Sequence, residues 1–298
     1  MTAPARPLHV PRLPRTLWRL LRLALHLGRG MLTVALIYPW IDDARRLALK
    51  QRWSRQLANR LGVTIKVGAD NTASEAPQGF LVANHISFLD IFVINALAPA
   101  AFVAKDDVRN WPLLGWLSQR TETIFLERGS RRAAQATREH LVEQLRAGRL
   151  VAVFPEGTTS DGHAVLPFHA ALFQSAIDAG VPVTPVVLRY ADASGQRSHA
   201  ADYVGDTSLV ACLWSIAGAG SLTAHVELLP ALSSSDINRR HLAAHAHRLI
   251  GHALKHAPDP EASPSPMAGL VADTAGETPA DPPVAPPSMY RPKDSLYR

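Results

Sequence analysis

The middle of the chain alternates short, almost wholly apolar runs with longer stretches in which apolar residues recur every three or four positions. VTIKVG (63–68), GFLVAN (79–84), AFVAK (101–105), TETIFLER (121–128), LVAVFP (150–155), VPVTPVVLRY (181–190) and LTAHVELLP (222–230) read as strands. Several are apolar on both faces, as strands in a sheet covered on both sides are. The spacing predicts helices over SFLDIFVINAL (87–97), Ser130–Ala147 and 169–179, with a short one at WPLLGWLSQ (111–119). Gly148 and Gly180 stand where the second and third should stop. A His-rich terminal helix is expected over 236–256, and a polar loop from Asp70 to Gln78. Strands alternating with helices predict an α/β fold with a largely parallel central sheet flanked by helices.

The ends of the chain have a different character. Residues 17–61 read as two helices, with a break expected near Gly28–Gly30 or at Tyr38-Pro39. In the first, Arg19, Arg22, His26 and Arg29 recur at helical spacing between Leu and Trp, and the uncharged run MLTVALIYPWI follows. That run is too short to span a bilayer alone. A basic amphipathic segment lying in the membrane interface fits the pattern better. Charge supports this: residues 1–60 hold twelve Arg/Lys against Asp42 and Asp43, so an anionic partner is expected at this end. From Pro258 onward ten prolines fall in 41 residues with little apolar content, as in a disordered tail. The expected organisation is therefore 1–16 disordered, 17–61 membrane-associated helices, 62–256 the α/β domain and 257–298 a disordered tail. The one cysteine, Cys212, excludes a disulfide framework and a cysteine zinc cluster.

Between Gly79 and Ala104, His85 and Asp90 are the only side chains that change charge near neutral pH. A carboxylate in so apolar a stretch needs a partner and hydrogen bonds. An imidazole held by a carboxylate is a general base suited to neutral pH. Four polar segments, Asn84–Asp90, Lys105, Phe125–Arg128 and Phe154–Ser160, fall at strand ends, where open α/β sheets carry their sites. Ser87 is placed to cap the helix after His85. Other classes fit less well. The basic arm lacks the interleaved aromatic or glycine-rich features of single-strand nucleic-acid binders. His241/His245 and His252/His256 have helical spacing without the glutamate of H-E-x-x-H. G-x-S-x-G is absent.

NHISFLD, IFLER, FPEGTTS and VPVTPV resemble, in order, the four motif blocks of the 1-acylglycerol-3-phosphate type of glycerolipid acyltransferases. The resemblance implies acyl transfer from a thioester, acyl-CoA or acyl carrier protein, to a lysolipid hydroxyl. It implies a membrane surface, no metal and no cofactor, and no nucleic acid; a bacterial inner membrane, cytoplasmic face, is the expected location. His85 would act as base and Asp90 as its orienting carboxylate. Lys105, Arg128, Glu156, Gly157, Thr158 and Thr159 would bind the acceptor headgroup, and the Glu156–Thr158 backbone would receive the oxyanion. Two positions depart from the family pattern: Thr159 stands where Arg is usual, and His169 where Lys is common. Both usual residues are permanent cations suited to a phosphate. The variant run EGTTSDGHAVLPFHAALF resembles that of lyso-ornithine lipid acyltransferases, whose acceptor carries an amino-acid headgroup.

Overall fold

The computed structural model describes residues 13–68, 77, 79–110, 114–126 and 131–256. By chain contacts the protein divides into 1–262 and 263–298, and the second unit lies outside the described residues. In chain order the elements are α1 (Leu13–Leu36), α2 (Asp43–Leu61), β1 (Val63–Val67), β2 (Phe80–Ala83), α3 (Leu89–Leu97), β3 (Ala101–Lys105), α4 (Leu114–Arg120) and β4 (Ile124–Leu126). There follow α5 (Arg131–Arg146), β5 (Val151–Val153), α6 (Gln174–Ala179), β6 (Val183–Ala191), α7 (Leu209–Gly218), β7 (Leu222–Leu228) and α8 (Arg239–Lys255).

The seven strands form one sheet in the order β1-β7-β6-β2-β5-β3-β4, parallel at every pairing except β6–β7. Side-chain alternation explains the two layers around it. Leu81 and Ala83 of β2 point into a core shared with α2, α3 and α7. Phe80 and Val82 point the other way, toward α5, α6 and α8. The chain leaves β2 toward β3 on one side, and β5 leads to β6 on the other. The carboxyl ends of β2 and β5 therefore flank the point where the winding reverses, the place where open α/β sheets form a crevice.

At the amino-terminal end several expectations change. α1 runs unbroken through Gly28 and Gly30, and the chain turns at Tyr38-Pro39 instead, where a 3₁₀ turn covers Tyr38–Trp40. The segment Leu13–Trp40 is long and apolar enough to cross a membrane by length and composition, with a mean hydropathy of 1.5. Its arginines do not form one solvated stripe. The Arg15 guanidinium donates to Gly218 O at 3.0 Å, and that of Arg19 donates to Ala217 O at 3.0 Å and Ala219 O at 2.7 Å. These are the last carbonyls of α7, which carry the negative end of that helix. His26 is buried and stacks on Trp53 of α2. Arg22 and Arg29 remain exposed. Beside them α1 turns an apolar face outward: Leu17, Leu21, Leu25, Leu32 and Leu36 follow it, each more than half exposed.

Gly62 shows why this docking needs that residue. It ends α2 in the left-handed region at φ 79°, and a Cβ there would sit 2.1 Å from the Arg19 guanidinium. α2 is tied to the far side of the sheet by buried Lys50, whose Nζ donates to Ala100 O at 2.8 Å and pairs with Glu122 at 3.2 Å. The helix expected over 169–179 is a 3₁₀ turn, Ala170–Phe173, running into the short α6. α7 was not legible in the sequence. Residues 127–130, with the end of the TETIFLER strand, lie outside the described residues.

Candidate active site

The site grows from the end of β2. The Asn84 side chain bridges to β6: its Nδ2–H donates to Leu188 O at 3.0 Å, and its Oδ1 accepts from Leu188 N–H at 2.8 Å. This extends the pairing of β2 with β6 past the last strand residue and fixes where the next residue emerges. His85 then sits between two loops. Its backbone N–H donates to Glu156 Oε1 at 2.9 Å, and its carbonyl accepts from Ser160 N–H at 2.8 Å. The imidazole lies flat on Phe154, centroids 3.8 Å apart and planes 8° from parallel.

Asp90, in the first turn of α3, is wholly buried. Its Oδ2 accepts from Ile86 N–H at 2.7 Å and Ser87 N–H at 2.9 Å, and lies 2.9 Å from His85 Nδ1. Its Oδ1 accepts from the Tyr190 hydroxyl at 2.7 Å. A carboxylate only accepts, so in this pair His85 Nδ1 is the donor and Nε2 carries the free lone pair. Burial, and then the charge of Asp90, push the Tyr190 hydroxyl well above its ordinary pKa, so it stays protonated and donates. Ser87 does not cap α3 through its side chain; no such bond forms, and the hydroxyl lies 3.9 Å from Cys212 Sγ. Burial pushes the Cys212 thiol up to about 11.

Glu156 is 4% exposed. Its Oε2 accepts from Leu166 N–H at 2.9 Å while Oε1 holds His85 N–H, so both oxygens face backbone rather than a headgroup. Burial raises its pKa against the lowering effect of those two amides. The geometry makes it a clasp between the His85 loop and the loop after β5. Gly157 adopts φ 69°, and a Cβ there would meet the His169 ring at 3.0 Å. Its N–H donates to Phe154 O at 3.1 Å, so that amide is not free for an oxyanion. The Thr159 hydroxyl donates to Tyr203 O, and Tyr203 N–H donates to Ile86 O at 3.1 Å. Lys105 ends β3, in register with Leu126. Arg128 lies outside the described residues.

His85, Gly157, Thr158, Thr159 and His169 all line one cavity of about 1400 Å³. It extends between α1, α2 and α3 over largely apolar walls that include Leu27, Trp53 and Phe92. The structure thus brings together the first and third motif segments. Sequence reading missed Tyr190, Asn84 as a strand clamp, Phe154 as the shelf under the imidazole, and the 199–205 segment. Only Tyr190 left a trace, as a polar tip ending an apolar strand.

The doubly covered, mostly parallel sheet places a carboxylate-held histidine at the wall of a long apolar cavity, the architecture of an α/β protein with an apolar site at its strand ends. Residues 64–189 match the Acyltransferase family. The chain is 39% identical over 224 residues to a 1-acyl-sn-glycerol-3-phosphate acyltransferase of Neisseria meningitidis, covering 75% of this chain and 86% of that one. It is 36% identical over 245 residues to a lyso-ornithine lipid O-acyltransferase of Pseudomonas aeruginosa, covering 78% and 94%. The crystal structure of a 1-acyl-sn-glycerophosphate acyltransferase from Thermotoga maritima superposes with a TM-score of 0.62 at 20% identity, over 82% of this chain and 94% of that one, and supports the fold. The chain belongs to the acyltransferase family and is an acyltransferase.

Proposed function

We propose that the protein moves a fatty acyl group from an acyl thioester, acyl-CoA or acyl carrier protein, to the free hydroxyl of 1-acyl-sn-glycerol-3-phosphate, giving phosphatidic acid. The observation that carries this reading is the His85–Asp90 pair, with Nε2 left free on an imidazole that lines the cavity. His85 Nε2 takes the proton of the acceptor hydroxyl as its oxygen attacks the thioester carbonyl. Asp90 stabilises the imidazolium that forms, as in the serine-protease template. The C–S bond breaks as the tetrahedral intermediate collapses, and His85 returns the proton to the departing sulfur. The acceptor is the nucleophile, so no acyl-enzyme is required, and every proton is handled by this chain's side chains without a cofactor. Of the Glu156–Thr158 amides proposed for the oxyanion, those of Glu156 and Thr158 remain once Gly157 is set aside.

Lys105 and Arg128 are proposed as contacts for the acceptor phosphate, and Thr158 and Thr159, on the cavity wall, as neighbours of its headgroup. The outward leucines of α1 support seating of the 17–61 segment in a membrane, with the 62–256 domain at its surface. We assign that surface to the cytoplasmic face of a bacterial inner membrane, where both donors are available.

One observation favours a second acceptor, lyso-ornithine lipid. Thr159 spends its hydroxyl on Tyr203 O, and His169 stands where a permanent cation is common, so neither offers a fixed charge to a phosphate. The experiment is a two-by-two panel, acyl-CoA or acyl carrier protein against lysophosphatidate or lyso-ornithine lipid in vesicles, run with wild type and His85→Ala. The reading requires acylated product from wild type and none from folded His85→Ala. Turnover of the variant within a few-fold of wild type refutes the mechanism, and exclusive use of lyso-ornithine lipid replaces the acceptor.

A further inference from the structure

We infer that Tyr190 is a positioning residue for the reaction, setting the orientation and charge of Asp90 and, through it, the basicity of His85. This rests on the reading of His85 and Asp90 as the catalytic pair. Tyr190 is on β6, a hundred residues from Asp90 in sequence, and its hydroxyl meets the one carboxylate oxygen that the His85 loop does not engage. The other oxygen is held on three sides by Ile86 N–H, Ser87 N–H and His85 Nδ1–H. With Tyr190 in place both oxygens are pinned, and the plane of the carboxylate is set toward the imidazole. Without it Oδ1 is a buried acceptor with no donor, and part of the negative charge now delocalised toward the phenol returns to the oxygen facing His85.

The surroundings make this hydrogen bond the adjustable one. Tyr190 is 2% exposed and does not line the cavity, so it cannot touch either substrate. The titratable groups around Asp90 come from four places: His85 on its own loop, Tyr190 from β6, Cys212 from α7 and Glu156 from the loop after β5. Cys212 is held neutral by burial, and the charge of Asp202 acts in the same direction on that thiol. Both Glu156 oxygens are committed to backbone amides. Neither replaces a donor lost from Asp90 Oδ1.

Tyr190→Phe keeps the ring and removes the donor. A hydrogen bond to a charged group is strong enough that kcat should fall about tenfold, with the KM of donor and acceptor unchanged within about twofold. The acid limb of the kcat/KM profile should move to higher pH, because a less neutralised carboxylate favours the imidazolium. Replacing Tyr190 with a ring-fluorinated tyrosine, the same shape with a more acidic phenol, should move that limb the other way. This second replacement also tests the inference if the phenylalanine variant does not fold. In an Asp90→Asn background, Tyr190→Phe should change kcat by no more than about twofold, since the two act as one unit. A purely structural tyrosine would lower the melting temperature and leave the profile where it was; that result, with Asp90→Asn inactive, overturns the inference and spares the catalytic pair. An Asp90→Asn enzyme that turns over like wild type overturns the pair itself.

Discussion

Asp90→Asn separates what the carboxylate does by its charge from what it does by its shape. An asparagine has one acceptor oxygen and one NH₂ group. If its NH₂ took the Oδ2 position it would face two backbone donors, Ile86 N–H and Ser87 N–H, now 2.7 and 2.9 Å away. The amide oxygen must therefore occupy that position, where it still accepts from His85 Nδ1–H. The NH₂ then points at the Tyr190 hydroxyl, which can turn to accept. Geometry and tautomer survive, and the charge alone is lost. In the serine-protease template the same change costs about 10⁴-fold because the tautomer is wrong. Here the loss is the attraction between a carboxylate and the forming imidazolium. Two unit charges about 4 Å apart at an effective dielectric near 20 attract by about 4 kcal/mol. At about 1.4 kcal/mol per tenfold this gives a fall in kcat of about 10³-fold. The assay is steady-state transfer of labelled acyl groups to lysolipid in vesicles, beside a thermal melt to show that the variant is folded. A folded variant within tenfold of wild type would refute the charge argument, whereas a loss beyond about 10⁴-fold would show that the tautomer has switched after all.

Four further outcomes are expected. Replacing Leu17, Leu21 and Leu25 together by Gln should lower partition onto vesicles by at least about a hundredfold without shifting the melting temperature, because each leucine contributes roughly 1.5–3 kcal/mol when it leaves water and none is buried in the fold; co-sedimentation measures it. High salt should leave most wild-type binding in place, since Arg15 and Arg19 are spent on α7 rather than on lipid. Thr159→Arg should lower the KM for lysophosphatidate and reduce activity on lyso-ornithine lipid; no change with either, read from the same acceptor panel, would mean that this position does not meet the headgroup. Glu156 has its pKa raised by burial, so the folded chain holds that proton to higher pH than the unfolded chain. Its contribution to stability is then greatest below the ordinary carboxylate range and falls as pH rises through that range to the raised value. Glu156→Gln should remove this slope, which melts between pH 4 and 7 would show.

Local pattern determined most of the secondary structure, because a strand buried on both faces and an amphipathic helix each write their environment into consecutive residues. VTIKVG, GFLVAN and LTAHVELLP became β1, β2 and β7 close to the expected bounds. The pairing of His85 with Asp90 was legible for the same reason: five residues apart, they meet within one turn of chain at a helix start. α7 escaped, since LVACLWSIAG is apolar on nearly every side and has neither period strongly marked. What sequence could not carry was everything that depends on which distant segments the sheet order brings together. Arg19 read as part of a basic segment facing a membrane interface, and that its guanidinium meets the carbonyl end of α7 only the tertiary structure decided. The two backbone amides that Glu156 holds, from His85 and Leu166, could not be read from the sequence until the β2–β5 pairing set the two loops side by side. Tyr190 showed only as a polar tip ending an apolar strand, and its partner was undefined until the parallel pairing of β6 with β2 brought its hydroxyl to Asp90. A polar atom's partner is chosen by proximity in space, and a hundred residues of intervening chain leave no local trace of that choice.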